Sequence, residues 1–194
     1  MKKIRILIAD DHPIVREGYK KILTSQPDMD VTGEAGNGQE VLDLIQKKDF
    51  ELILLDISMP GRSGLEILKE LRSRKPHLPV MILSIYPEEQ YAVRAFRDGA
   101  SGYLTKASTP KELISAIRKV SQGGRYVTEA LAEKLTYFLH GDADKVPHEK
   151  LSDREYQVML LIASGKTVTQ IADELCLSVK TISTYRARIL EKMN

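Results

Sequence analysis

Residues 4–13 read IRILIADDHP. The stretch Ile4–Ala9 is a short apolar run rich in β-branched residues, the pattern of a strand buried on both faces. It ends abruptly in two adjacent carboxylates, Asp10 and Asp11, with His12 as a candidate helix cap and Pro13 where a helix can begin. A helix-like pattern then runs from Pro13 to about Gln26. The same unit recurs down the chain. Apolar runs DVTGEA, ELILLD, PVMILS and SGYLT alternate with amphipathic stretches at 38–48, 64–74, 88–98 and 110–122. Alternation of this kind predicts an α/β fold, a five-stranded doubly wound parallel sheet with helices on both faces.

Helix-start chemistry supports these boundaries. Asn37 with Glu40 is capping-box-like, Thr109 precedes Glu112 by three, and Pro87 and Pro110 stand at first-turn positions. Gly99 and Gly123 read as helix stops. Residues 1–123 therefore form one domain. Residues 124–147 read as a connection with a short amphipathic helix, EALAEKLTYFL, and a polar exit, HGDADKVPHEK. From 148 to 194 the pattern is all helix. Ser152 and Glu155 form a capping box, Gly165 ends the first helix, and TQIADEL and VKTISTYRARILEKM follow, separated by the turn CLS with Ser178 as cap. Two helices joined by a tight turn, the second one basic, make a helix-turn-helix.

The 194 residues suffice for two cores, and 42% hydrophobic with 29% charged content describes a globular chain rather than a disordered one. No apolar stretch reaches the roughly 20 residues of a membrane span, so the expectation is a cytoplasmic protein with no membrane contact. The single Cys176 has no disulfide partner and reads as a small buried apolar residue. Net charge is only +2, yet Lys180, Arg186, Arg188 and Lys192 face Glu191 alone in the last helix. Such a concentration is either a solvated helix face or a nucleic-acid footprint.

The carboxylates have a chemical logic. In an open parallel sheet, sites form at the carboxyl ends of strands where strand order reverses. Asp10 and Asp11 end the first strand and Asp56 ends the third; if these strands are neighbours, three carboxylates meet. Two like charges about 5 Å apart cost on the order of 3 kcal/mol at an effective dielectric of about 20. An all-oxygen cluster suits Mg²⁺, and Lys106, at the end of the fifth strand, supplies a second cation. Asp56 stands alone and is the candidate nucleophile toward a phosphoryl group, with Asp10 and Asp11 as a metal-holding pair. Taken singly, each acid is most simply an exposed turn residue; taken together with Lys106, they are not.

ILIADDHPIVREG, LILLDISMPGRSGLE, VMILSIY, GASGYLTK and the stretch LSDREYQVMLLIASGKTVTQIADELCLSVKTISTYRARILEKM occur in this order. As a set they resemble two-component response regulators of the NarL/FixJ group: a flavodoxin-like receiver domain followed by a LuxR-type helix-turn-helix. The resemblance spans essentially the whole chain. It implies phosphorylation of Asp56 by a sensor histidine kinase, with Asp11 binding Mg²⁺ directly, Asp10 largely through water, and the Ser58 carbonyl as a further ligand alongside Asp56. It also implies that Ser84 donates its hydroxyl to the phosphoryl oxygens, that Lys106 pairs with them, and that Tyr103 changes rotamer as Ser84 moves. Each has a plain alternative; Ser84 could simply end a strand and Tyr103 simply cover one. Two departures stand out. Lys106 is followed by Ala107 rather than proline, which leaves the isomer of that peptide open, and the residue after Ser84 is the bulky Ile85, expected to narrow access to the phosphoryl group.

A recognition helix needs an apolar stripe to hold it and polar residues facing the major groove. Val179, Ile182, Ile189 and Met193 form the expected stripe. By resemblance, Ser183, Thr184 and Ala187 would lie near base edges, while Lys180, Tyr185, Arg186 and Arg188 would mainly meet phosphate. Thr181 belongs to the same DNA-binding set, and Thr167, capping the preceding helix, would touch phosphate at its N-terminus. The partners implied are the kinase, double-stranded DNA and a second copy of the chain in a homodimer formed on phosphorylation. Relatives continue into a fourth helix after the recognition helix, so the output domain is expected to lack its last helix.

Two rivals remain. A P-loop hydrolase would use GKT at 165–167, but the required glycine is Leu160 and the triplet follows a helix; GNG at 36–38 lacks the third glycine of a dinucleotide fingerprint. A phosphoryl-responsive adaptor would use its helical tail on protein or RNA, which a steep salt dependence of duplex binding would oppose.

Overall fold

The structure is a computed structural model that describes residues 3–128, 131–133 and 147–193. The chain divides into two compact units, Met1–Thr136 and Tyr137–Asn194. Most of the connection expected at 124–147, including all of its short helix but residues 131–133, which are helical, lies outside the described residues.

In the first unit strands and helices alternate: β1 Ile4–Ala9, α1 Pro13–Thr24, β2 Met29–Ala35, α2 Gly38–Lys47, β3 Leu52–Asp56, α3 Gly64–Arg74, β4 Val80–Ser84, α4 Glu88–Arg97, β5 Gly102–Thr105 and α5 Pro110–Ser121. The strands form one parallel sheet in the order β2-β1-β3-β4-β5. This is the fold class expected from the sequence. β3 and β4 are buried at every position, which is why LILLD and VMILS read as unbroken apolar runs. β2 lies at the sheet edge, and its half-buried MDVTGEA mixes polar and apolar residues accordingly. Beyond β5, Tyr126 bridges to Gly102, so the segment leaving α5 starts against the sheet.

The helix caps explain the boundaries. Thr109 and Glu112 form a reciprocal capping box, with Pro110 in the first turn. Pro87 is instead the N-cap of α4. Asn37 accepts from the Glu40 N–H, but the Glu40 carboxylate takes the N–H of Gly36, so only half of the expected box is made. An unforeseen box, Ser63 with Glu66, starts α3.

In the second unit a 3₁₀ turn, Pro147–Lys150, precedes α6 Asp153–Ala163, α7 Val168–Glu174 and α8 Val179–Met193. Ser152 caps α6 in a box with Glu155, Thr167 caps α7 with Gln170, and Ser178 Oγ accepts the Thr181 N–H at 3.0 Å. Val158, Leu161, Ile171, Leu175, Ile182 and Ile189 form the core. The buried Arg154 donates to Gln157 and to the carbonyl of Leu175 at the end of α7, fixing the turn into α8.

Three expectations need correction here. Val179 and Met193 are 48% and 41% exposed, so the stripe that holds α8 is Ile182 and Ile189 alone. Cys176 is exposed, not buried. It has φ +51, and its N–H and that of Leu177 donate to the carbonyls of Asp173 and Ala172, which makes it the left-handed residue of a Schellman turn. Gly99, Gly123 and Gly165 hold the same position at other helix ends, with φ of +99, +85 and +85. A side chain there points away from the helix, hence the exposure.

Candidate functional site

β1 and β3 are neighbours, with Ala9 opposite Leu55, and this register brings the acids that follow each strand together. Lys106 joins them from the end of β5: its Nζ lies 2.6 Å from Asp10 Oδ2 and 2.8 Å from Asp56 Oδ2. Asp10 and Asp56 are 2% and 1% exposed. Asp56 Oδ1 is buried with no hydrogen-bond partner among the described residues. Burial raises the Asp56 carboxyl above the usual aspartate range, opposed by Lys106 and by the N–H of Ser58. Burial alone would depress Lys106, but Asp56 and Asp10 outweigh it and hold the ammonium above its ordinary value.

Asp11 sits on the rim, 30% exposed, with its Oδ1 2.7 Å from His12 Nδ1. The His12 backbone N–H donates to Asp10 Oδ1 at 2.9 Å, and Arg16 donates from α1 to the Asp10 carbonyl at 2.7 Å. His12 occupies the N-cap of α1 without any side-chain capping bond. Ser58 follows two residues after Asp56, and its Oγ is buried without a hydrogen-bond partner among the described residues. Gly64 opens α3 against this loop: a Cβ there would lie 2.0 Å from the Asp56 carbonyl oxygen, so only glycine fits.

Ser84 ends β4, fully buried, and its Oγ accepts the N–H of Tyr86 at 3.2 Å. Tyr103, 1% exposed on β5, donates its hydroxyl to the carbonyl of the same Tyr86 at 2.9 Å. Burial raises the Tyr103 phenol, and a hydrogen bond with Ser84 opposes that shift. The Tyr86 backbone thus links the two residues. Ile85, by contrast, points into solvent at 64% exposure. Among the described residues no peptide is cis, so Lys106–Ala107 is trans.

The sequence reading therefore finds Asp10, Asp56, Lys106, Ser84 and Tyr103 together at one end of the sheet, with Asp11 on its rim. It misses His12, Arg16, Gly64 and Tyr86. Only His12 carried a signal, its place beside the acid pair; the others depend on loop geometry.

On α8, Lys180, Ser183, Thr184, Arg186, Ala187 and Arg188 are exposed, while Thr181 and Tyr185 are half-buried; Thr167 is exposed at the start of α7. Ser183 and Thr184 turn their hydroxyls back to the carbonyls of Val179 and Lys180. Lys192 differs from the other three cations: it pairs with the buried Glu155 at 2.7 Å. No helix among the described residues is long and apolar enough to cross a membrane.

A doubly wound sheet bearing this acid–lysine cluster, followed by a helix-turn-helix, is the architecture of a two-domain transcriptional regulator. Residues 6–118 match the response regulator receiver domain, and residues 149–194 match the luxR family of bacterial regulatory proteins. The chain belongs to the two-component response regulators with a luxR-type output domain, a family of transcription factors rather than enzymes. It is 37% identical over 193 residues to the response regulator GacA of Pseudomonas aeruginosa, covering 98% of this chain and 90% of that one. Identity to UvrY of Escherichia coli K12 is 34% over 192 residues, covering 98% and 88%. Among solved structures, RcsB of Salmonella enterica serovar Typhimurium, bound to a promoter in the presence of the phosphomimetic BeF3−, aligns with a TM-score of 0.65 at 28% identity, covering 99% of this chain and 92% of that one.

Proposed function

We propose that a sensor histidine kinase transfers a phosphoryl group to Asp56, and that this event switches dimerisation and binding of the helix-turn-helix to double-stranded DNA in the cytoplasm. The observation that carries the reading is one ammonium shared by two buried carboxylates, one of which keeps an unpartnered oxygen. Asp56 Oδ1 is the nucleophile: it forms a bond to phosphorus while the bond from phosphorus to the kinase's histidine nitrogen breaks. Lys106 then exchanges its contact with Asp56 Oδ2 for the phosphoryl oxygens and keeps Asp10.

The donor set fits a hard divalent cation: carboxylates from Asp10, Asp11 and Asp56, and the Ser58 carbonyl, with an orphaned buried oxygen among them. Bound Mg²⁺ would supply charge neutralisation for the phosphoryl oxygens. Ser84 leaves the Tyr86 N–H to donate to those oxygens. Because Tyr86 also holds the Tyr103 hydroxyl, the move frees Tyr103 to change rotamer and alters the surface of α4, β5 and α5.

The proposed domain limits are 1–123 for the receiver, 124–147 for the connection and 148–194 for the DNA-binding domain. Lys180, Arg186, Arg188 and Tyr185 contact phosphates, Thr167 meets one at the start of α7, and Ser183, Thr184 and Ala187 lie near the base edges, with Thr181 in the same DNA-binding set. RcsB bound to promoter DNA with BeF3− supports both halves of the reading.

Incubation with a small phosphodonor and Mg²⁺ tests it. Wild type should be labelled and Asp56→Asn should not; labelling of the variant refutes Asp56 as acceptor. Ser84→Ala should be labelled yet fail to gain DNA affinity, and full activation of that variant refutes the relay.

A further inference from the structure

The acids gather at the carboxyl ends of the strands; the amino ends of β4 and β5 border a cavity lined by cations. It measures about 300 Å³ and lies among Pro79, which precedes β4, Ser101, which precedes β5, and the Gly123–Gly124 turn that leaves α5. Its described lining carries Arg72, Arg125 and His77 and no aspartate or glutamate.

The backbone fixes Arg72. From the last turn of α3, its Nε donates to the Gly99 carbonyl at 2.7 Å, and its Nη1 donates to the carbonyls of Pro76 and Leu78 at 2.9 and 2.8 Å. A Cβ at residue 99 would lie 2.8 Å from Arg72 Cδ and Nε, so the guanidinium fits because residue 99 is glycine. These bonds occupy two of its three nitrogens. Nη2 is buried and has no hydrogen-bond partner among the described residues.

A structural clamp accounts for the three carbonyl bonds. It does not account for a cation set into the protein without a counter-ion and beside a second guanidinium. Burial lowers Arg72 from its ordinary value, Arg125 lowers it further, and no carboxylate opposes them. Arg125 and His77 are exposed and make no hydrogen bond or ion pair with the described residues, so both can turn to a ligand. Two guanidiniums and an imidazole around one space select a group with several anionic oxygens, and a phosphate matches the guanidinium fork. An adjoining cavity of about 550 Å³ shares Pro76, His77, Pro79 and Gly123 and presents the apolar Ile45, Phe50 and Leu78 among charged residues. It has room for the organic part of a phosphate ester.

We propose that these cavities bind a small organic phosphate monoester, its phosphate on Arg72, Arg125 and His77 and its apolar body against Phe50, at the opposite end of the sheet from Asp56. Because Arg125 stands in the segment that leaves α5, the ligand ties that segment to the end of α3.

The experiment uses the full chain, isotope-labelled for amide resonances and kept in EDTA so that no divalent ion occupies the carboxylate pocket. It is titrated with phenyl phosphate, with inorganic phosphate and with sodium chloride at matched ionic strength. Both phosphates should give saturable shifts at the amides of Gly99, Ser101 and Gly124, phenyl phosphate at the lower concentration, and chloride should give none. Arg125→Gln should weaken both phosphates about tenfold, the loss of one charge-assisted contact, while thermal unfolding stays unchanged. Four results overturn the proposal: no shifts at these amides, the same shifts with chloride, undiminished binding in Arg125→Gln, or phenyl phosphate binding no tighter than inorganic phosphate.

Discussion

Lys106→Met removes one charge from the site while keeping most of the side-chain volume. In wild type the Lys106 side chain is 13% exposed and its ammonium touches two carboxylates, at 2.6 and 2.8 Å. Each contact is worth roughly 6 kcal/mol at an effective dielectric of about 20, before the desolvation of three charged groups is set against it. Removing one member of a buried pair costs about 3–5 kcal/mol net, because the partners stay buried. Here two partners remain and repel each other. The variant should therefore lose about 3–5 kcal/mol near neutral pH. The pH dependence separates this mechanism from loss of packing. Asp56 is already raised by burial, and without Lys106 it is raised further. A carboxyl raised in the folded state is destabilising above its folded pKa, and the penalty disappears as pH falls through it. Lys106 in wild type, raised in the folded state, contributes stability that is constant below its unfolded pKa, far above this range. The gap between the proteins should thus shrink as the pH is lowered from neutral toward the ordinary aspartate range. A bound divalent cation replaces the missing charge and should narrow it too, because the variant, with no ammonium in the pocket, gains more from the ion than wild type does. Native-state hydrogen exchange of β1, β3 and β5 amides in the full chain measures the gap. A gap unchanged by both pH and Mg²⁺ would refute the electrostatic account.

Gly64→Ala forces a Cβ into the Asp56 carbonyl and should cost the first unit at least about 2 kcal/mol and abolish labelling of Asp56, read by thermal unfolding and phosphodonor assay. Cys176→Gly relieves a left-handed conformation and should stabilise the second unit by about 0.5–1 kcal/mol in urea unfolding; a loss would contradict the turn assignment. Burial would raise Glu155, but hydrogen bonds from Lys192 and Ser152 hold it below the usual glutamate range. Its contribution is therefore present above the unfolded pKa and lost as pH falls through the folded one, so Glu155→Gln should cost about 1 kcal/mol at neutral pH and progressively less as the pH falls below the ordinary glutamate range. Alanine at Lys180, Arg186 or Arg188 should weaken duplex binding on any sequence and reduce the salt slope by about one; an effect confined to one sequence would place that residue on a base edge.

The fold was legible because parallel strands covered on both faces leave unbroken apolar runs, as in LILLD and VMILS, and because helices carry capping chemistry, at Thr109 after the last strand and at Ser152 in the second unit. Ser63 was overlooked since its box lies inside a Gly-rich loop, GRSG, that reads as turn. Cys176 was misjudged because residue type predicts burial only when the backbone does not dictate direction, and a left-handed C-terminal residue faces outward. The acid–lysine cluster could be argued from strand ends alone, since register determines where Asp10, Asp56 and Lys106 arrive. The Tyr86 link could not, because it uses main-chain atoms that any residue supplies. Counting charge on the last helix overstated the free cations, as Lys192 is engaged by Glu155 from 37 positions earlier in the chain.

Lys106 arrives 50 positions after Asp56, on the outermost strand of its side of the sheet. During translation at about 5–20 residues per second, a nascent chain presents both aspartates for roughly 3–10 s before the lysine is made. Until then, joining the two central strands confines opposing anions with no internal counter-ion. The amino-terminal half is therefore a poor resting point for a ribosome-bound chain, and completion of the domain is tied to the emergence of its final strand.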